Sequence, residues 1–197
     1  MHLRTEAITK QSSVLPIIKT LYEEAFPANE RAPMSILLRK ARKSFVDFTA
    51  YYENDTFIGF TYLSLSRDRD LAFVMYLAID PALRSNGYGS RILEQLRLTY
   101  ADSRIVLNIE AAEKDSPNAA ERLRRREFYV RNGYAGSGFL MKEFGVWYEA
   151  LVIGGPVGRA EYLRLYSRFM GFPLSVLARP KIVPMPDAPR STDGSGT

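Results

Sequence analysis

The chain of 197 residues contains no cysteine and a single histidine, His2. The first absence excludes a disulfide framework, a thiolate zinc site, a cysteine nucleophile and an iron–sulfur cluster. The second leaves a Ser–His–Asp relay and any polyhistidine metal site with almost nothing to draw on, so no metal centre is expected. No stretch approaches the roughly 18 consecutive apolar residues of a membrane helix, and the start of the chain lacks a signal peptide's apolar core. The expectation is a cytoplasmic protein with no membrane partner and a bound cofactor, although missing cysteine suits an oxidising compartment equally well.

Hydrophobic residues make up 46% and charged residues 25% of the chain, enough apolar material for a core and no case for global disorder. The length fits one domain with a tail, here residues 1–179 and a flexible segment 180–197 rich in Pro, Gly, Ser and Asp. Lys plus Arg exceed Asp plus Glu by 27 − 22, a formal +5, a balance that favours anionic ligands in general.

Apolar periodicity supplies the elements. Val14, Ile17, Ile18, Leu21 and Ala25 share one helical face after Ser12 and Ser13, and Pro27 ends that helix. A second helix spans Pro33 to Lys43. Phe45–Glu53 and Thr56–Leu65 read as strands joined by an Asn54-Asp55 hairpin. After a charged turn, Leu71–Ile79 is an apolar run without alternation, as suits a central strand covered on both faces. A helix over Gly87–Tyr100 presents Ile92, Leu93, Leu96 and Tyr100, and Arg104–Glu110 is the next strand, with Glu110 on its polar face. Ser116-Pro117 opens a helix that stops at Gly133. Leu140–Phe144 and Val146–Ile153 form a closing antiparallel pair, and a last helix lies within Val157–Leu177. In that helix Tyr162, Leu165, Tyr166 and Phe169 either cap the core or bury themselves in a partner, so monomer and homodimer both stay open. The strand–helix–strand unit from Leu71 to Glu110 crosses over right-handedly, which makes its strands parallel. The fold class is therefore α/β, a mixed sheet with helices on both faces.

The chemistry concentrates where the Leu77-Ala78-Ile79 strand end runs through a short loop into Arg84-Ser85-Asn86-Gly87-Tyr88-Gly89-Ser90. Free N–H groups at a helix start attract anions, glycines let an anion approach the main chain, and Arg84 adds charge. A lone Gly-x-Gly with a solvated arginine is an ordinary helix start. The Arg-x-x-Gly-x-Gly spacing directly after a strand points instead to a pyrophosphate. A dinucleotide fingerprint would need a small residue where Ile92 sits, and a P-loop would need a Gly-Lys-Ser/Thr ending.

Arg84-Ser85-Asn86-Gly87-Tyr88-Gly89 resembles the acyl-CoA pyrophosphate loop of the GNAT superfamily of N-acetyltransferases, Arg/Gln-x-x-Gly-x-Gly/Ala. Phe128-Tyr129-Val130-Arg131-Asn132-Gly133-Tyr134 is similar to the second signature of that superfamily, Phe/Leu-Tyr-x-x-x-Gly-Phe/Tyr. The resemblance covers all but the last helix and tail. It implies a central sheet of about seven strands with a V-shaped opening between the two parallel ones, and acetyl-CoA as acetyl donor. By position, the main chain of Leu77 and Ile79, on either side of Ala78 in the same cofactor-binding stretch, would bond to the pantetheine arm, and Arg84 to Ser90 would cradle the pyrophosphate. Asn118 and Tyr129 match the superfamily's helix asparagine and tyrosine. Their separation exceeds the usual one by about one helical turn, which puts the role of Asn118 in question.

The implied reaction is direct attack of a primary amine, on a small molecule or peptide, upon the acetyl-CoA thioester. A lysine-like amine is neutral in only about one molecule in 2,500 at pH 7, a penalty near 4.6 kcal/mol, so a base is needed. Glu110, beside the opening, is the candidate base and Tyr129 the candidate acid for the departing thiolate. A non-catalytic acyl-CoA-binding protein is the alternative with the same fold. Glu30 and Arg31, in the connection that borders the acceptor site in this fold, would read the substrate or pair with each other. Arg122, Arg124, Arg125 and Arg126 make a basic helix stretch that reads as a solvated face or as attraction for cofactor phosphates. With no interleaved aromatics and with Glu121 and Glu127 nearby, nucleic acid is not an expected partner.

Overall fold

The computed structural model describes residues 2–112, 116, 118–143, 145–171 and 180–185. In chain order they form β1 (Arg4–Ala7), α1 (Leu15–Ala25), α2 (Met34–Lys40), β2 (Val46–Glu53), β3 (Thr56–Leu65), β4 (Leu71–Ile79), a short 3-10 turn (Pro81–Leu83), α3 (Tyr88–Thr99), β5 (Arg104–Glu110), α4 (Ala119–Arg131), β6 (Ala135–Glu143), β7 (Val146–Ile153), α5 (Arg159–Met170) and β8 (Lys181–Pro184). One mixed sheet runs β1-β2-β3-β4-β5-β7-β6-β8. Only β4 and β5 pair in parallel, as the crossover through α3 requires.

The sheet has eight strands, six of them those read along the sequence. The other two are the four-residue edges, β1 against β2 and β8 against β6. Edge strands of four residues are too short to carry a readable alternation. Lys181–Pro184 falls within the stretch read as a tail, whose residues 186–197 lie outside the described ones. Pro117, Phe144 and residues 172–179, which the expected elements also include, lie outside them too. β6 begins at Ala135, ahead of the expected Leu140, and its pairing with β7 is interrupted between Gly136 and Leu140.

Helices α1, α2 and α5 cover one face of the sheet, and α3 and α4 the other. Ile18, Leu21 and Tyr22 of α1 pack on Phe60, Tyr62 and Tyr76, whereas Ile17, expected on that stripe, is exposed. Ile92, Leu93 and Leu96 of α3 pack on Ala72, Val74, Ile105 and Leu107. Tyr162, Leu165, Tyr166 and Phe169 of α5 are all buried against this chain's own sheet, so that face belongs to the core.

β4 is apolar throughout because both its faces are covered, and a bulge shifts its phase partway along. Its register against β3 steps from Tyr62↔Tyr76 to Leu63↔Val74, which leaves Met75 as the extra residue of a bulge. Ala72 and Val74 face α3 before it, and Leu77 and Ile79 face the same side after it. The extra residue swaps odd and even positions, because side chains alternate with a period of two.

Candidate functional site

Parallel pairing between β4 and β5 covers Leu71↔Arg104 to Val74↔Leu107 and ends there, at the bulge. Tyr76–Ile79 continue along β3, and Asn108–Glu110 continue along β7, so the two central strands part. The Asp80 N–H donates to the Ile58 carbonyl at 2.9 Å, which fixes the phase of the β3–β4 ladder. In that phase Ile79, and Leu77 two residues earlier, turn their N–H and C=O groups away from β3 toward the gap. Ala78, between them, faces β3 and contributes no main-chain group to the opening. The main-chain groups turned to the gap at this strand end are thus those of Leu77 and Ile79.

The gap leads to the start of α3. Gly87 is its N-cap with φ 79°, and Ser85 also lies in the left-handed region at φ 66°. No side chain caps this helix, so its first N–H groups have no partner within it. The two glycines differ in purpose. A Cβ on Gly87 would meet nothing within 4 Å, and glycine is favoured there by its backbone angle. A Cβ on Gly89 would stand 2.9 Å from Cζ of Phe128, so this glycine admits the α4 ring. Arg84, Ser85 and Asn86 are exposed, and Arg84 Nε donates to the Ile79 carbonyl at 3.4 Å. Tyr88 and Arg91 both bond Glu53, tying the first turn of α3 to the β2–β3 hairpin. Ser90 lies half-buried in the same turn.

Helix α4 places Tyr129 in its last turns, half-buried between Phe128 and Tyr134 with ring centroids 5.1 and 5.7 Å away. Its hydroxyl has no hydrogen-bond partner among the described residues, and burial pushes its pKa up to about 12. Arg126 of the same helix reaches Glu149 of β7 with two bonds, Nε to Oε2 at 2.9 Å and Nη2 to Oε1 at 3.2 Å. Glu149 is 2% exposed, so this pair fixes the helix over the sheet.

Asn118 and Glu110 meet at the other end of α4. Asn118 is the helix N-cap, but its Nδ2 donates to Glu110 Oε2 at 3.4 Å instead of its Oδ1 capping the helix. The same oxygen pairs with Arg122 Nε at 2.9 Å, while Arg122 Nη1 donates to the Ala111 carbonyl at 3.0 Å. Glu110 Oε1 has no partner among the described residues. Of the four clustered arginines, Arg122, Arg125 and Arg126 are engaged with Glu110, Glu121 and Glu149, which favours a structural role over a free basic face.

Glu30 and Arg31 do not pair with each other. Arg31 Nη1 donates to the Glu23 carbonyl at 3.1 Å. Glu30 bridges the two sides of the gap: its carbonyl accepts from Tyr76 of β4 at 2.9 Å and its Oε1 from Tyr148 of β7 at 2.5 Å. Tyr76 and Tyr148 escaped the sequence reading, because a contact between residues this distant depends on strand order. The carboxylate of Glu149 inside the apolar run Val146–Ile153 was a usable signal of a buried partner. Among the described residues no group of acidic or histidine side chains could hold a metal, and no helix is long and apolar enough to cross a membrane.

Comparison with known proteins agrees with this geometry. Residues 15–134 match the model of the acetyltransferase (GNAT) family. No curated protein matches the sequence. Among solved structures, a putative GNAT-family acetyltransferase from Bacteroides thetaiotaomicron is 24% identical with a TM-score of 0.66, over 84% of this chain and 96% of that one. A spermidine N-acetyltransferase chimera from Vibrio cholerae and hSSAT is 16% identical with a TM-score of 0.61, over 87% and 99%. An acetyltransferase of Bacillus subtilis in complex with CoA is 14% identical with a TM-score of 0.52, over 77% and 97%.

Proposed function

Because the chain belongs to the acetyltransferase (GNAT) family, we propose that it transfers the acetyl group of acetyl-CoA to a primary amine of a small molecule or peptide by direct attack. One observation carries the reading: β4 and β5 part at Val74 and Leu107, and the main-chain groups this frees lead to an uncapped helix start. In this reading Leu77 and Ile79 pair with the pantetheine amides as a neighbouring strand would, and the N–H groups of Ser85 to Ser90 with Arg84 hold the pyrophosphate. Acetyl-CoA supplies an activated thioester. The amine nitrogen forms a bond to the acyl carbon, the C–S bond breaks, and the products are the N-acetyl amine and CoA thiol. Tyr129 supplies the proton for the leaving sulfur. The proton lost by the amine passes through water to Glu110, whose Oε1 is the oxygen left open by Arg122 and Asn118.

A second reading, an acyl-CoA-binding protein without transfer, is favoured by the pairing of Glu110 with Arg122, which engages the only proposed base. Two measurements separate these readings. Acetyl-CoA at about a hundred times its dissociation constant stabilises the fold by about 2.7 kcal/mol, a rise in thermal midpoint that ATP and NAD should not reproduce. Release of free CoA thiol in the presence of an amine panel then distinguishes transfer from binding alone. No rise with acetyl-CoA would reduce Arg84–Ser90 to a helix start and remove both readings.

A further inference from the structure

The β1 edge of the sheet holds a second opening, a notch of about 260 Å³. Its walls are His2 and Arg4 at the start of β1, Tyr52 and Glu53 at the end of β2, Asn54 in the turn that follows, and Arg91 of α3. None of residues 84–90 lines it.

The notch is built by the way two strands are held. β1 and β2 pair from Ala7↔Thr49 to Arg4↔Tyr52 and no further. Beyond that point the main chain of Leu3 belongs to α3: its N–H donates to Gln95 Oε1 at 3.0 Å and its carbonyl accepts from Gln95 Nε2 at 3.1 Å. On the opposite wall Glu53 accepts from Arg91 Nη1 at 2.7 Å and, on its other oxygen, from the Tyr88 hydroxyl. Arg91 and Gln95 are four residues apart and share a helix face, so α3 holds both walls.

The lining carries two guanidinium groups against one carboxylate, and that carboxylate is engaged on both oxygens. Arg4 forms no ion pair among the described residues. Glu6, two residues further along β1, accepts instead from the Tyr52 hydroxyl at 2.9 Å. The Arg4 guanidinium lies over the Tyr52 ring, 4.0 Å from its centroid. A ring beneath a guanidinium fixes its plane and leaves the N–H donors at its edge for a partner. Tyr52 is itself buried beneath Arg4, so the notch offers no platform on which a nucleobase could stack. What it presents is donors and positive charge.

We propose that this notch is a small-anion site, separate from the gap, that takes a phosphate or carboxylate group between Arg4 and Arg91. The fork of Arg4 matches two oxygens of such a group, while Arg91 adds charge and His2 a further ring nitrogen. The inference does not depend on the acetyl-transfer reading.

The test titrates the protein with inorganic phosphate, with succinate, and with sodium chloride at matched ionic strength, following arginine Nε–Hε signals by NMR. Phosphate or succinate should move the Arg4 signal along a saturating curve that chloride does not reproduce. Binding of either supports the site, and the tighter of the two identifies the group it takes. Arg4→Gln, followed through Arg91 and the Asn54 side-chain amide, should weaken binding at least about tenfold, the scale of one charge-assisted hydrogen bond. Arg97→Gln, at an exposed position further along α3, should bind as wild type does. An Arg4 signal that stays still, or drifts without saturating as it does in chloride, overturns the inference, and so does an equal loss in the two variants. CoA carries a phosphate on its ribose and supplies the remaining arm. If CoA displaces phosphate from Arg4 and dephospho-CoA does not, the notch belongs to the cofactor site and a separate anion site is refuted. Acetyl-CoA binding that leaves the Arg4 signal in place supports the separation. Failure of acetyl-CoA to bind at all removes the transfer reading and leaves this site to the phosphate and succinate titrations.

Discussion

Replacing Tyr129 with Phe deletes one oxygen and little else. The hydroxyl has no hydrogen-bond partner among the described residues, so its loss strands no donor or acceptor, and stability should stay within about 0.5 kcal/mol of wild type. The ring keeps its edge-on contacts with Phe128 and Tyr134. Burial raises the phenol to about 12, so at pH 7 only about one molecule in 100,000 is ionised and the acid is present in full. A positioned acid contributes roughly 10²–10⁴-fold, or about 2.7–5.4 kcal/mol of barrier. Turnover should fall by that factor at saturating acetyl-CoA, with the affinity for acetyl-CoA unchanged. A thiol-reactive dye reads the reaction against no protein background, because the chain has no cysteine. The same pKa means Tyr129 should impose no alkaline decline below about pH 11. A Phe variant that turns over within twofold of wild type would show that the leaving thiolate finds its proton elsewhere.

Gly89→Val should cost about 1–3 kcal/mol in a denaturant titration, because its Cβ enters the space of the Phe128 ring; an unchanged midpoint would mean the ring yields freely. Arg126→Ala should cost about 2–4 kcal/mol by leaving the buried Glu149 unpaired, less than a fully buried pair because Arg126 is 38% exposed. Changing both residues to Leu should recover most of that loss, and failure to recover would assign the cost to something other than the charge. Burial lifts Tyr51 and Tyr129 to about 12, above an unfolded value near 10, so the native state retains protons that the unfolded state gives up. Stability should therefore be insensitive to these groups below pH 10 and decline between pH 10 and 12; a flat denaturation midpoint over that interval would contradict it.

The interior strands were legible because burial imposes long apolar runs. Thr56–Leu65, Leu71–Ile79, Arg104–Glu110 and Val146–Ile153 have the same limits in sequence and structure. β1 and β8 were not legible, since an edge strand of four residues needs no apolar face. In the site, Arg84–Ser90 stood out because a helix start with positive backbone angles restricts residue choice locally. The partners of that site did not. Glu30 meets Tyr148 at a separation of 118 residues, and Gly89 makes room for Phe128, a relation that only the packing of α3 against α4 creates. Glu110 illustrates the same limit: its place at a strand end could be read, but the arginine that reaches it from one turn into α4 could not.

The parting of β4 and β5 also sets a timetable for solvent. The amides of Leu77 and Ile79 belong to a strand packed on both faces, yet in this fold they have no carbonyl across the gap to hold them. In deuterated water they should exchange far faster than those of Ala78 and Asp80, which donate into β3 from the same few residues. A bound pantetheine arm would complete the ladder and erase the contrast. If the gap holds the arm as proposed, the sheet finishes its hydrogen bonding only when occupied, and two amides in the middle of an otherwise closed strand report that occupancy.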